Sequence, residues 1–148
     1  MFFRAVPLVL VVSSLLSQQT TAPAANPSGM YTFLKDGEFL QLTVEDARNV
    51  TGFISRYGDS DGDRGTFLNQ FLKQGKLEGN KLTFVTDTVH AVRFEFSGSI
   101  SRGPGKTPAE EAYYIVQGTL TDYRTSADEK TASNSRQVAF KSFPQDVK

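Results

Sequence analysis

Hydrophobic and polar residues alternate along most of this chain. In residues 111–125, Tyr114, Val116, Gly118 and Leu120 fall on one side, and Tyr113, Ile115, Gln117, Thr119 and Thr121 on the other. A period of two is the mark of a half-buried β-strand. The same alternation predicts strands over residues 29–33, 38–45, 50–57, 74–78, 81–89, 92–102 and 136–143. In residues 38–45, Leu40, Leu42 and Val44 point inward; in residues 92–102, Val92, Phe94, Phe96, Gly98 and Ile100 do so. In 50–57 apolar groups occupy both sides, so that strand's inward face stays open. One segment breaks the rhythm. Phe67, Leu68, Phe71 and Leu72 recur at i, i+1, i+4 and i+5, a spacing that predicts a short helical turn over residues 66–72 lying across one end of the fold.

Turn chemistry separates the strands. Asp36-Gly37 and Gly79-Asn80 suit tight hairpins, Gly58 to Gly65 is a polar loop, and Gly103-Pro104-Gly105 cannot continue a strand. Residues 125–133 read as a charged, exposed loop. A second rhythm lies inside the strands: Gly52, Gly75, Gly98 and Gly118 each precede an aliphatic residue by two positions. Strand glycines weaken a sheet, so their recurrence points to close backbone approach and coiling. Eight strands joined by short turns predict an all-β, eight-stranded antiparallel up-and-down barrel. At that strand number the interior is filled by side chains or holds one small ligand. A two-sheet sandwich is the competing architecture.

The beginning of the chain reads differently. Arg4, an apolar run from Ala5 to Leu16, and Ala22-Pro23-Ala24 have the order of a secretory signal. Residues 1–24 are therefore expected to be a signal peptide, residues 25–148 a single domain, and the product secreted or periplasmic. The apolar run is too short to span a bilayer, so no membrane anchor is expected from it. With 15 basic against 16 acidic residues after Arg4 is removed, nothing predicts a nucleic-acid partner. There is no cysteine, and 12 phenylalanines and five tyrosines supply the large core groups.

Gly29-Met30-Tyr31 is similar to the Gly-x-Trp that opens the first strand of avidins and lipocalins, and the Gly-x-aliphatic steps resemble the avidin strand pattern. The resemblance implies a calycin-like barrel. Tyrosine stands in place of tryptophan, and the tryptophans that wall the avidin biotin pocket have no counterpart, so biotin binding is not implied. The chain also resembles small secreted bacterial proteins, which implies a compartment and no activity.

The candidate chemistry is sparse. Gly58-Asp59-Ser60-Asp61-Gly62 matches Gly-x-Ser-x-Gly, but within a turn, without the strand and helix that expose such a serine. His90, the one histidine, falls at a strand end. Asp59, Asp61 and Asp63 resemble the start of a calcium loop, yet Arg64 stands where its glycine belongs and Gln70 where its glutamate belongs. No catalytic residue, metal ligand or cofactor is assigned. Phe67 and Phe71, with Tyr57 and Tyr114, are the candidate ligand contacts: aromatics exposed at a barrel mouth would meet an apolar ligand, and buried ones would plug it. The expected function is that of a noncatalytic barrel binding a small apolar or amphipathic molecule at one end. The alternatives are a filled barrel serving as a structural or interaction protein, and a cavity enzyme.

Overall fold

The computed structural model describes residues 26–146; the expected signal peptide lies outside them. The alternating segments become β1 (Gly29–Thr32), β2 (Phe39–Val44), β3 (Val50–Tyr57), β4 (Phe67–Glu78), β5 (Lys81–Thr86), β6 (Val92–Arg102), β7 (Tyr114–Thr125) and β8 (Thr131–Lys141), with a 3-10 turn at Asp46–Arg48. Each strand pairs antiparallel with the next in sequence, so the sheet is a meander. The two ends of that meander meet. Tyr31 bridges Ser142, the Phe143 N–H donates to the Met30 carbonyl at 2.8 Å, and the Lys141 N–H donates to Thr32 Oγ1 at 2.9 Å. The all-β eight-stranded barrel is therefore closed by a short seam.

Burial follows the alternation. Leu40, Leu42, Leu82, Phe84, Phe94, Phe96, Val116, Leu120 and Phe140 are buried inside, and their rings pack together, with Phe33–Phe140 centroids 5.1 Å apart and Phe84–Phe96 5.2 Å apart. Fully burying a side chain of this size contributes roughly 1.5–3 kcal/mol, so this packed interior is the main source of stability. Strand-internal glycines set how tightly the wall curls. Gly98 and Gly118 face each other across β6 and β7, and a Cβ on either would collide with the neighbouring strand's backbone, Gln117 O or Ser97 O.

Two segments depart from the sequence expectation. Residues 66–72 form no helical turn: they begin the long strand β4, whose first half pairs with β3 and whose second half pairs with β5. Leu68 and Leu72 are half-buried on the inner side with Gln70 between them, while Phe67 and Phe71 point out. The helix-like spacing thus comes from apolar residues on both faces of one strand, and two ladders of backbone hydrogen bonds override it. A register shift between Leu72 and Gln74 bends β4 from one partner to the other. Likewise β8 begins at Thr131, inside the segment read as loop. Its first half is polar and exposed, so no hydrophobic period marks it; its ladder to β7, from Thr125↔Thr131 to Ile115↔Lys141, holds it as strand.

Candidate ligand site

The connections β1–β2, β3–β4, β5–β6 and β7–β8 all lie at one end of the meander, and together they frame the barrel mouth. The chain builds that rim from short-range chemistry. In the β1–β2 turn the Glu38 N–H closes on the Lys35 carbonyl at 3.0 Å. The Glu38 carboxylate, itself buried, accepts from the Lys35 N–H at 3.0 Å and, across the rim, from the Tyr57 N–H at 3.1 Å. The β5–β6 connection closes in a two-residue turn, with Val89 and Val92 exchanging backbone hydrogen bonds of 2.9 and 3.1 Å. His90 and Ala91 both take positive φ there, the condition of the tight hairpin turns that match strand twist.

Charged side chains occupy inward positions at this end. Arg56 follows Ile54 on the inner side of β3 and is 4% exposed. Its Nε donates to Gln70 Oε1 at 2.9 Å and its Nη2 to the Val89 carbonyl at 3.2 Å; its guanidinium also lies 5.8 Å from the Phe94 ring centroid. Gln70 is fully buried and donates onward to Thr86 Oγ1, the Asp87 carbonyl and the Val92 carbonyl. Burial pulls the Arg56 pKa down, against the neighbouring carboxylates Asp59, Asp63 and Glu38.

Around it runs an ion-pair chain. Arg124 reaches Asp59 Oδ2 at 2.7 Å and Asp122 Oδ2 at 3.1 Å, and Arg136 reaches Asp122 Oδ1 at 2.8 Å. Burial raises the Asp122 pKa, but hydrogen bonds from Arg136 and Arg124 outweigh it and hold the carboxyl below its usual value. These groups bound a recess of about 190 Å³, walled by Phe33, Leu34, Tyr57 and Phe94 and rimmed by Lys35, Glu38, Arg56, Asp59, Arg124 and Arg136. Four cations stand here against three carboxylates once Asp122 is included, and Asp63, which also acts on Arg56, brings a fourth, so the charges at this end balance.

A larger concavity, about 940 Å³, lies along β4–β7 and is lined by Val50, Leu72, Phe84, Val85 and Phe96 beside Glu45, Lys73, Lys76, Thr83, Glu95 and Thr121. Much of its lining is the solvated outer side of the sheet. Its polar residues are exposed or half-buried, and none is a buried, oriented group of the kind that Arg56, Glu38 and Gln70 supply at the mouth.

The four aromatic candidates do not form one site, though Tyr57 and Phe67 pack together. Tyr57 lines the mouth recess and its ring packs on Phe67, centroids 4.2 Å apart. Phe67 and Phe71 stand on the outer wall, 48% and 56% exposed, neither plugging the barrel nor pointing into it. Tyr114 is buried in the core and starts β7 at the opposite end. The rim residues Arg56, Asp122, Arg124 and Arg136 went unread, although a signal for them exists: each falls on its strand's inward phase, after Ile54, after Leu120 or before Val138, where alternation calls for an apolar group.

The remaining motifs resolve into structure. Ser60 Oγ donates to Asp63 Oδ1 at 2.6 Å, and His90 Nδ1 lies 2.5 Å from Asp63 Oδ2. The carboxylate sits between hydroxyl and imidazole, whereas a nucleophilic serine needs the imidazole against its own oxygen. The three alternating aspartates turn to separate partners: Asp59 to Arg124, Asp61 to Arg64, and Asp63 to Ser60 and His90.

No protein-family model and no curated protein matches this sequence. The fold does have solved counterparts. A rhizavidin–biotin complex matches with a TM-score of 0.59 at 13% identity, covering 82% of this chain and 95% of that one. A crystal structure of rhizavidin matches at 0.58 and 12% identity, covering 81% and 84%. The fold is avidin-like. At these identities the likeness speaks for the avidin-like barrel and for its strand order; residue roles do not travel with it.

Proposed function

We propose that this chain is a secreted, noncatalytic binding protein whose barrel mouth takes a small amphipathic molecule with an anionic end. The observation that carries this reading is the mouth recess itself, an apolar floor of Phe33 and Phe94 under a rim with three guanidinium groups. Arg124 and Arg136 are the exposed guanidiniums of that rim, 46% and 41%; Arg124 is held by both Asp59 and Asp122, whereas Arg136 pairs with Asp122 alone, through Nη2. A carboxylate on the ligand would complete a charge-assisted contact there. The interior below is packed, so the ligand sits at the rim. At about 30 Å³ per water-sized unit, 190 Å³ holds about six such units, which limits the enclosed part to a fragment. Rhizavidin supports the reading by analogy, being known as a complex with biotin.

Titration calorimetry with a panel of small aryl and alkyl carboxylates, their neutral amides and the matching amines tests it, with biotin included as one carboxylate. Carboxylates should bind, more weakly at high salt, and Arg136→Ala should weaken them tenfold or more. Equal binding of the amides would remove the anionic preference; no heat from any compound at millimolar concentration would remove the ligand-binding reading altogether. A second reading, an interaction protein, is favoured by one observation: the aromatic outer wall around Phe71.

A further inference from the structure

We infer that the free edge of β8, from Thr131 to Ala139, is a strand-addition site that takes an extended acidic peptide of another protein. The inference does not depend on small-molecule binding in the mouth recess. The seam with β1 is short: it holds Lys141, Ser142 and Phe143, and β1 ends at Thr32. Before Lys141, β8 keeps one partner, β7, and no other strand of the described residues lies along its second side. The hydrogen bonds at the seam show which groups are left over. The Ser142 N–H turns to Tyr114 of β7, whereas those of Lys141 and Phe143 turn to β1. That alternation continues along an antiparallel ladder. The N–H and C=O groups of Thr131, Ser133, Ser135, Gln137 and Ala139 therefore face the open side, and all five residues are exposed. Nine residues of strand span about 30 Å, and such an edge templates another chain unless proline, lysine, a bulge or an inward charge guards it. Residues 131–139 hold no proline and no lysine, their register with β7 is unbroken, and the inward Arg136 is taken up by Asp122.

The pattern of these groups selects the occupant. A donor and an acceptor repeating at every second residue, about 6.7 Å apart, match an extended polypeptide backbone and neither a sugar-phosphate chain nor a lipid headgroup. In strand addition the main-chain hydrogen bonds supply affinity and the side chains supply preference. Ala132, Ser133, Asn134 and Ser135 are short, so they leave the backbone accessible. Charge sets the preference. Residues 131–143 carry Arg136 and Lys141 and no carboxylate. Of the acids on the β7–β8 hairpin, Asp122 is bound by Arg124 and Arg136 and Asp128 by Lys130, and Glu129 stands in the turn beyond the edge. Arg136 reaches Asp122 through Nη2, and a guanidinium has further donors to offer. Acidic side chains on an added strand would lie across from Arg136 and Lys141 as cross-strand pairs. A second copy would bring another Arg136 and Lys141 to the same edge with no carboxylate between them, and like charges oppose that arrangement.

Fluorescence anisotropy tests this, with a labelled peptide of about ten residues alternating valine and glutamate and protein up to about 1 mM, a range that reaches weak association. The proteins are wild type, Ser135→Pro and Ser135→Ala, each confirmed as folded by circular dichroism. Both variants lose the Ser135 hydroxyl and its contact with Thr121; proline alone also removes the N–H on the open side, and the donors that face β7 stay in place. Wild type and Ser135→Ala should bind, and Ser135→Pro should bind tenfold or more weakly. The N-methylated form of the same peptide, which cannot donate to the edge, should lose tenfold or more on wild type and tests the point without any variant. A peptide alternating valine and lysine should also bind at least tenfold more weakly. No binding of the glutamate peptide to wild type overturns the inference. So does an equal loss in both Ser135 variants, which would assign the contact to the side chain, and so does equal binding of the N-methylated peptide. Equal binding of the lysine peptide overturns the acidic preference. A dimer in peptide-free protein that Ser135→Pro breaks up would give the edge to a second copy and overturn the inference as well.

Discussion

Gln70 shows how much one inward polar residue can carry. It is fully buried and links Arg56 to the backbone of the β5–β6 turn, so its loss leaves a guanidinium and two carbonyls short of a partner. Gln70→Leu should therefore cost about 3 kcal/mol in urea unfolding. Adding Arg56→Met should restore part of it, because the stranded charge is then gone. A double variant no more stable than Gln70→Leu would contradict the pairing. The acid limb of stability makes a second residue-scale prediction. Hydrogen bonds from Ser60 and His90 lower Asp63 from 3.8 to about 2, so the unfolded chain takes up that proton first. The stabilisation is fully present above about pH 4 and is lost as pH falls toward 2. Asp122, also held low by its arginines, acts in the same direction. Asp63→Asn should flatten part of the decline between pH 4 and 2; an unchanged slope would mean that the β3–β4 loop gains nothing from the ionised carboxylate.

At the scale of elements, the glycines divide by what surrounds them. Gly118→Ala would press a methyl group into the Ser97 carbonyl and the Gly98 Cα, whereas at Gly62 nothing lies within contact range. We expect Gly118→Ala to destabilise by about 2 kcal/mol or more and Gly62→Ala by about 0.5 kcal/mol or less, read from denaturant midpoints. Similar values at the two sites would remove the close-approach account of the strand glycines. The elements also show where sequence reasoning worked. In β5, β6 and β7 one side is core and the other is mostly wet, so residue chemistry reports direction. β4 defeats that logic because Phe67 and Phe71 are apolar and outward while Gln70 is polar and inward. β8 defeats it because residues 131–136 bury neither face and are strand only through the partner β7 provides.

For the whole molecule, the seam decides whether the sheet is a barrel. Ser142 fixes the end of β8 to β7, its N–H donating to the Tyr114 carbonyl at 3.0 Å and its hydroxyl accepting from the Tyr114 N–H at 3.0 Å, so that the next residue is held where it crosses the seam to Met30. Ser142→Pro removes that donor and disturbs the bridge to Tyr31. Amides of β1 should then exchange with solvent tenfold faster or more, while those of β6 and β7, which pair along 11 positions, keep their protection. Unaltered β1 protection would show that the barrel does not depend on this closure.

Local steric preference and one-sided burial act along a single strand, so the alternation of this chain was enough to determine its class, its meander and most of its inward faces. The mouth and the outer aromatic wall belong to another order of interaction. Arg56, Asp59, Asp122, Arg124 and Arg136 come from distant parts of the chain and meet because the sheet curls and closes. Phe39, Phe53, Tyr57, Phe67 and Phe71 meet because cross-strand register sets them side by side. Neither the sheet's curvature nor its register is carried by any one segment, and so only the tertiary structure could decide where charge gathers and which apolar surface is left uncovered.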